Sequence, residues 1–76
     1  MATVRFWAGA RRAAGADVVT IDAATVKELR SELATRPELT AVVQVATFLV
    51  DGVQADDLTS LPAGSLVDVL PPFAGG

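Results

Sequence analysis

Apolar and polar residues alternate from Thr3 to Ala8, which places Val4 and Phe6 on one face of a strand and Arg5 and Trp7 on the other. Gly9 interrupts the pattern, and Ala10 to Ala14 suffices for one or two helical turns before Gly15 stops them. The period of two returns at Asp17 to Ile21, with Val19 and Ile21 on a common face. The two strands are close enough to pair as an antiparallel hairpin across a loose, partly helical loop. Thr25-Val26-Lys27-Glu28 reads as a capping box, in which the Thr25 hydroxyl accepts the Glu28 amide hydrogen and the Glu28 side chain returns to the Thr25 amide. Val26, Leu29 and Leu33 then repeat at three and four, giving a helix with one apolar stripe and a solvated side of Lys27, Glu28, Arg30, Ser31 and Glu32. Arg36-Pro37 ends it, because the residue before proline avoids helical backbone, and Pro37 opens a short second helix through Leu39, Val42 and Val43.

The second half repeats the strand pattern. Ala46 to Val50 is a strand, Asp51-Gly52 is a tight-turn signal, and Val53-Gln54 begins the return. Ala55 to Gly64 is polar and turn-rich, with Leu58 and Leu61 as its expected anchors, and Ser65 to Leu70 is the last strand. A capped helix following an opening hairpin and packed on one face of a mixed sheet of four to five strands is the β-grasp arrangement of α+β domains. The expected organisation is one domain over residues 1–70, its first and last strands parallel neighbours, with a tail over residues 71–76 leaving the sheet's edge.

Composition narrows the function. A chain of 76 residues with 51% hydrophobic and 20% charged residues holds one folded domain near the lower size limit for an unaided core. A net charge of −3, with basic residues scattered except for Arg11-Arg12, opposes nucleic-acid binding. There is no cysteine and no histidine, so thiolate and imidazole chemistry are excluded, and with no tyrosine either an independent enzyme is not expected. No apolar run approaches the roughly 20 residues that span a bilayer, and the start is unlike a secretory signal, so the expected location is the cytoplasm. The six glycines form neither a GxGxxG nor a GxxxxGK[ST] motif, so no nucleotide cradle is expected. Asp56-Asp57 do not converge as adjacent loop residues, and Asp22, Glu28, Glu32 and Glu38 read as surface charges, so no metal site is expected.

The group set apart is the end of the chain. Pro71 and Pro72 fix φ and favour a stiff, extended exit, while Gly75 and Gly76 carry no side chain, so a carboxylate at Gly76 can be threaded down a narrow channel. Six extended residues reach at most about 20 Å. Stiffening matters because ordering them costs about 1 to 2 kcal/mol each. By chance alone a terminal diglycine arises in about one chain in 200. The period of two in the last strand puts Val67 and Val69 on the helix side and Leu66, Asp68 and Leu70 on the opposite face, together with Arg5 and Trp7. Nothing in so small a domain covers that second face, so Trp7, Arg5, Leu66 and Leu70 are the expected partner surface beside the tail. Phe73 is read as an anchor for the tail's passage into a partner, or else as a residue folded back on the sheet.

Phe6-Trp7-Ala8 with Arg11-Arg12 and Gly15, Thr25-Val26-Lys27-Glu28-Leu29, Leu61-Pro62-Ala63-Gly64 and the ending Leu70-Pro71-Pro72-Phe73-Ala74-Gly75-Gly76 resemble the small subunit of molybdopterin synthase (MoaD type), within the MoaD/ThiS ubiquitin-like sulfur carriers. The resemblance implies that an E1-like adenylating enzyme uses ATP to activate the Gly76 carboxylate. A sulfur donor of desulfurase or rhodanese type then converts it to a thiocarboxylate, and the synthase large subunit receives the sulfur for a pterin dithiolene. It implies a non-catalytic, sulfur-donating subunit with no cofactor of its own. Two departures stand out: Ala63-Gly64-Ser65-Leu66 replaces an acidic stretch common in relatives, and Asp68 replaces a small apolar residue. Three other readings use the same residues: a carrier for thiamine, cysteine or specialised-metabolite synthesis, a protein modifier conjugated through Gly76, and a binding module whose diglycine is incidental.

Overall fold

The computed structural model describes residues 1–72; the expectations for Phe73, Ala74, Gly75 and Gly76 lie outside the described residues. The elements are β1 (Ala2–Phe6), α1 (Ala8–Ala14), β2 (Val18–Ile21), α2 (Val26–Ala34), α3 (Thr40–Val45), β3 (Thr47–Val50), β4 (Val53–Ala55) and β5 (Leu66–Leu70). They build one five-stranded sheet in the order β2-β1-β5-β3-β4. β1 and β5 run parallel, with Arg5 level with Asp68, and the other neighbours are antiparallel. This is the β-grasp, ubiquitin-like fold expected from the order of elements.

The core forms where the periodicities meet. Val4 and Phe6 from β1, Phe48 from β3 and Val67 and Val69 from β5 are buried against Val26, Leu29 and Leu33 of α2 and Val43 of α3. Each such burial stabilises by about 1.5 to 3 kcal/mol, which makes the α2 stripe the main tie between helix and sheet. Thr25 caps α2 as expected, its hydroxyl accepting the Glu28 amide hydrogen at 3.2 Å. The Glu28 carboxylate returns one residue earlier than a capping box requires, accepting from the Ala24 amide at 3.2 Å. The Asp51-Gly52 turn has positive φ at both residues, 49° and 84°, as a two-residue hairpin turn of type I′ requires.

Several expectations are corrected. β1 ends at Phe6, and Trp7 is the N-cap of α1, which continues through Gly9 because the Trp7 carbonyl accepts from Ala10 and Arg11. α2 stops at Ala34, and Pro37 lies in the turn before α3. Leu58 is 84% exposed and anchors nothing. The 56–61 loop is held by backbone groups instead: the otherwise orphaned amides of Val26 and Lys27 donate to the Thr59 and Asp57 carbonyls, and Leu61, which is buried, donates to Ala24. Arg30 adds a side-chain tie, pairing with Asp57 at 3.0 Å, donating to the Val43 carbonyl and lying over the Phe48 ring. β5 is the sheet's central strand, so the tail leaves from the middle of the sheet and not from its edge.

Candidate functional site

Level residues on neighbouring strands share a face, so the register sets Val18, Arg5, Asp68, Leu49 and Gln54 in one row across the sheet face that no helix covers. At the centre of this row the Arg5 guanidinium grips the Asp68 carboxylate with two hydrogen bonds, Nε to Oδ1 at 2.7 Å and Nη2 to Oδ2 at 3.0 Å. The Trp7 indole N–H donates to the same Oδ1 at 2.9 Å, and the guanidinium lies 5.4 Å from the Trp7 ring centroid. The main chain brings Trp7 there: its amide donates to the Val69 carbonyl at 3.2 Å, continuing the β1–β5 pairing one residue beyond β1. Ala8 then turns the chain into α1 with φ of +49°, a backbone region that strains a residue bearing Cβ.

The electrostatics follow from this geometry. The hydrogen bonds from Arg5 hold the Asp68 carboxyl below the ordinary carboxylate range, outweighing burial, which pushes it up; the Trp7 N–H and the Arg5 charge act in the same direction as those bonds. Asp68 raises Arg5 in turn. Both carboxylate oxygens are satisfied, and among the described residues no buried side-chain polar atom lacks a partner.

Arg5, Leu66 and Leu70 lie on one face of the sheet, with Trp7 beside Arg5 and Asp68 at the Leu70 end of β5. Trp7 is 45% exposed, Leu66 and Leu70 are half-buried on the same face as Asp68, Pro71 is half-buried and Pro72 exposed. The sequence placed Asp68 on the same face as Arg5 and Trp7; its role as the hub of the two appears once β1 and β5 are set in register. Arg5, Phe6, Trp7, Arg11, Asp17 and Val18 line a cleft of about 200 Å³ beside this hub. A larger cleft of about 330 Å³, lined by Thr20, Ile21, Asp22, Glu32, Thr35 and Arg36, opens near the opposite end of β1. It gathers no set of groups around a reacting centre, and it is remote from the end of β5. Among the described residues there is no cluster of potential metal ligands and no helix long and apolar enough to cross a membrane. Asp56 and Asp57 serve the loop, Asp56 accepting from the Leu58 amide and Thr59 hydroxyl and Asp57 pairing with Arg30.

The model of the ThiS family matches residues 4–76. The chain belongs to the ThiS family. It is thereby a member of the ThiS/MoaD group of ubiquitin-like sulfur carriers. No curated protein matches its sequence. Among solved structures, this ThiS-family chain is similar to a chain in the complex of subunits 1 and 2 of the molybdopterin-converting factor from Helicobacter pylori 26695, at 29% identity over 99% of this chain and 97% of that one, with a TM-score of 0.78. SAMP1 from Haloferax volcanii matches at 24% identity over 99% and 98%, with a TM-score of 0.83. The small archaeal modifier protein 1 from Methanosarcina acetivorans matches at 22% over 99% and 95%, with a TM-score of 0.85. The last two likenesses establish the fold.

Proposed function

We propose that this ThiS-family protein is the small, sulfur-donating subunit of a molybdopterin synthase. The observation that carries this reading is the position of Pro71-Pro72 at the end of central strand β5, beside a face that presents Trp7, Arg5 and Leu70. The similarity at 29% identity to a chain of the two-subunit Helicobacter pylori complex supports the choice of pathway. A Pro-Pro pair two residues before Gly75-Gly76 supports it as well.

In the proposed sequence an adenylating partner transfers AMP from ATP to the Gly76 carboxylate and releases pyrophosphate. The terminal sulfur of a donor persulfide attacks the mixed anhydride and AMP leaves. A thiol then cleaves the resulting acyl disulfide, freeing a thiocarboxylate. This anion delivers its sulfur to a pterin precursor held by the large subunit. The domain supplies no catalytic side chain; its work is to fix the origin of the tail and to dock.

The test is sulfur loading. Incubation with the adenylating enzyme of the same organism, ATP and a persulfide donor should raise the intact mass by the difference between one sulfur and one oxygen, and deletion of Gly76 should abolish the change while leaving the fold intact. No mass change in the presence of an active partner overturns the carrier reading. Adducts of Gly76 with lysines of other proteins, without transfer to a pterin in the presence of the large subunit, would replace it with the protein-modifier reading.

A further inference from the structure

β2 is an outer strand of the sheet, with β1 on one side and no strand on the other. The Phe6 amide donates to the Asp17 carbonyl at 2.9 Å, so Phe6 and Asp17 are a hydrogen-bonded pair of the antiparallel β1–β2 ladder. Bonded and non-bonded pairs alternate along such a ladder. Val19 and Ile21 therefore bond through their backbones to Val4 and Ala2, while the amides and carbonyls of Val18 and Thr20 point away from β1. Among the described residues no other element bonds to these outward groups. Lysine, proline or a bulge usually guards such an edge; Val18-Val19-Thr20-Ile21 has none of them, its register is continuous, and Val18 is exposed.

The helix side of this edge is recessed. Val19 and Ile21 are half-buried there against the core, and at Ile21 opens the cleft of about 330 Å³, with Asp22 on the strand side and Glu32, Thr35 and Arg36 at the end of α2 opposite. Among the described residues Asp22, Glu32 and Arg36 take part in no ion pair. Two carboxylates thus face one guanidinium, and the cleft carries an excess of negative charge. Level residues on neighbouring strands share a face, so on a strand added beside β2 the residue opposite Ile21 directs its side chain to this cleft.

We propose that the outer edge of β2 receives an extended segment of a partner protein as a sixth strand of the sheet, with an apolar residue opposite Val19 and a lysine or arginine opposite Ile21. The outward amides and carbonyls of Val18 and Thr20 supply the hydrogen bonds, and the cleft supplies the choice of side chain. The basic residue lays its stem along Ile21 and its charged head between Asp22 and Glu32. A second copy of this chain is a poor occupant. In the antiparallel register that pairs two β2 strands along their full length, Val19 faces Val19 and Asp17 comes opposite Ile21, which adds a carboxylate where a cation is needed. β1 separates β2 from β5, so this edge and the origin of the tail are different places on the sheet, and the proposal does not rest on the sulfur-carrier reading.

The probe is a capped peptide, Thr-Lys-Thr-Val-Thr-Lys-Thr, which reads the same in both directions and so offers lysine opposite Ile21 in either strand orientation. Titrated into the full chain and followed by amide NMR, it should shift the Val18 and Thr20 amides downfield, slow their hydrogen exchange and saturate below about 1 mM. The same peptide with glutamate for both lysines should bind at least about fivefold more weakly, and the double variant Asp22→Asn with Glu32→Gln should lose about fivefold in affinity for the lysine peptide. Thr20→Pro removes an outward amide and no bond to β1, and should abolish binding. Far-UV circular dichroism establishes that each variant is folded; should Thr20→Pro not fold, the double variant, whose carboxylates join no ion pair, still decides. No shift of Val18 and Thr20 with the lysine peptide at about 1 mM, or equal affinity for the lysine and glutamate peptides, overturns the proposal. Shifts of the same two amides on concentrating the protein alone would assign the edge to a second copy and overturn it as well.

Discussion

Ala8 is the residue at which the fold holds strain beside the uncovered face of the sheet, and the strain is measurable. With φ of +49° its Cβ crowds the following carbonyl, at a cost of about 1 to 2 kcal/mol relative to right-handed helical backbone. Glycine removes that cost but has more freedom to lose on folding, which returns roughly 0.5 to 1 kcal/mol. Ala8→Gly should therefore stabilise by up to about 1.5 kcal/mol, and by about 0.75 kcal/mol at the middle of both ranges. In a domain of this size 1 kcal/mol moves the melting temperature by about 4 to 8 °C, so the middle value corresponds to a rise of about 3 to 6 °C.

Gly15 provides the reverse experiment in the same helix. It caps α1 with φ of +70°, donates its amide to the Arg11 carbonyl at 3.1 Å, and an added Cβ would meet open space, so strain alone decides the outcome. Gly15→Ala should destabilise by about 1 kcal/mol. Thermal and urea melts followed by circular dichroism read both variants. Because glycine accepts the native φ, Ala8→Gly should leave the emission maximum of Trp7 unchanged. Were Ala8→Gly destabilising while Gly15→Ala behaved as expected, the strain assigned to Ala8 would be refuted.

Two further outcomes follow from burial and charge. Leu33 is fully buried and Leu58 84% exposed, so Leu33→Ala should cost about 2 to 5 kcal/mol in urea unfolding and Leu58→Ala no more than about 0.5 kcal/mol; a comparable loss at Leu58 would restore it as an anchor. Asp68 is held below the ordinary carboxylate range in the folded chain, so the unfolded chain takes up its proton first as pH falls. The stabilisation is thus complete above the ordinary carboxylate range and is lost progressively as pH falls below it, through the lowered pKa of the folded chain. The stability gap between wild type and Asp68→Asn should narrow as pH falls from neutral to strongly acid, and a gap independent of pH would show that the charge of Asp68 does not support the fold.

What the sequence made legible was what local physics decides. The Thr25 cap, the stripe of Val26, Leu29 and Leu33, the Asp51-Gly52 turn and the alternation in β1 and β5 each follow from contacts a few residues apart, and each appears in the structure. Expectations failed where tertiary contacts override a local rule. Gly9 reads as a break, yet α1 runs through it because the Trp7 carbonyl starts the helix. Leu58 reads as an anchor, yet the amides at the N-terminus of α2 hold its loop. The hub at Asp68 joins residues more than sixty positions apart. Its signal was nevertheless present: an arginine and an aspartate both stood on the uncovered face of two strands that the β-grasp order makes parallel neighbours.

The central position of β5 gives the tail its purpose on the proposed reading. A strand bonded on both sides, by β1 and by β3, is the most firmly fixed part of a sheet, so a segment continuing it starts from a defined point and direction. β1 leaves its lane at Trp7 to form α1, and prolines at 71 and 72 have no amide hydrogen with which to extend the ladder, so the pairing stops at a definite residue. The same departure at Trp7 that ends the pairing also sets the indole on Asp68, which ties the Arg5–Asp68–Trp7 hub and the origin of the tail to one turn of the backbone. With six extended residues reaching at most about 20 Å, an enzyme that acts on Gly76, as the proposed function requires, must hold its reacting centre within that distance of the end of β5.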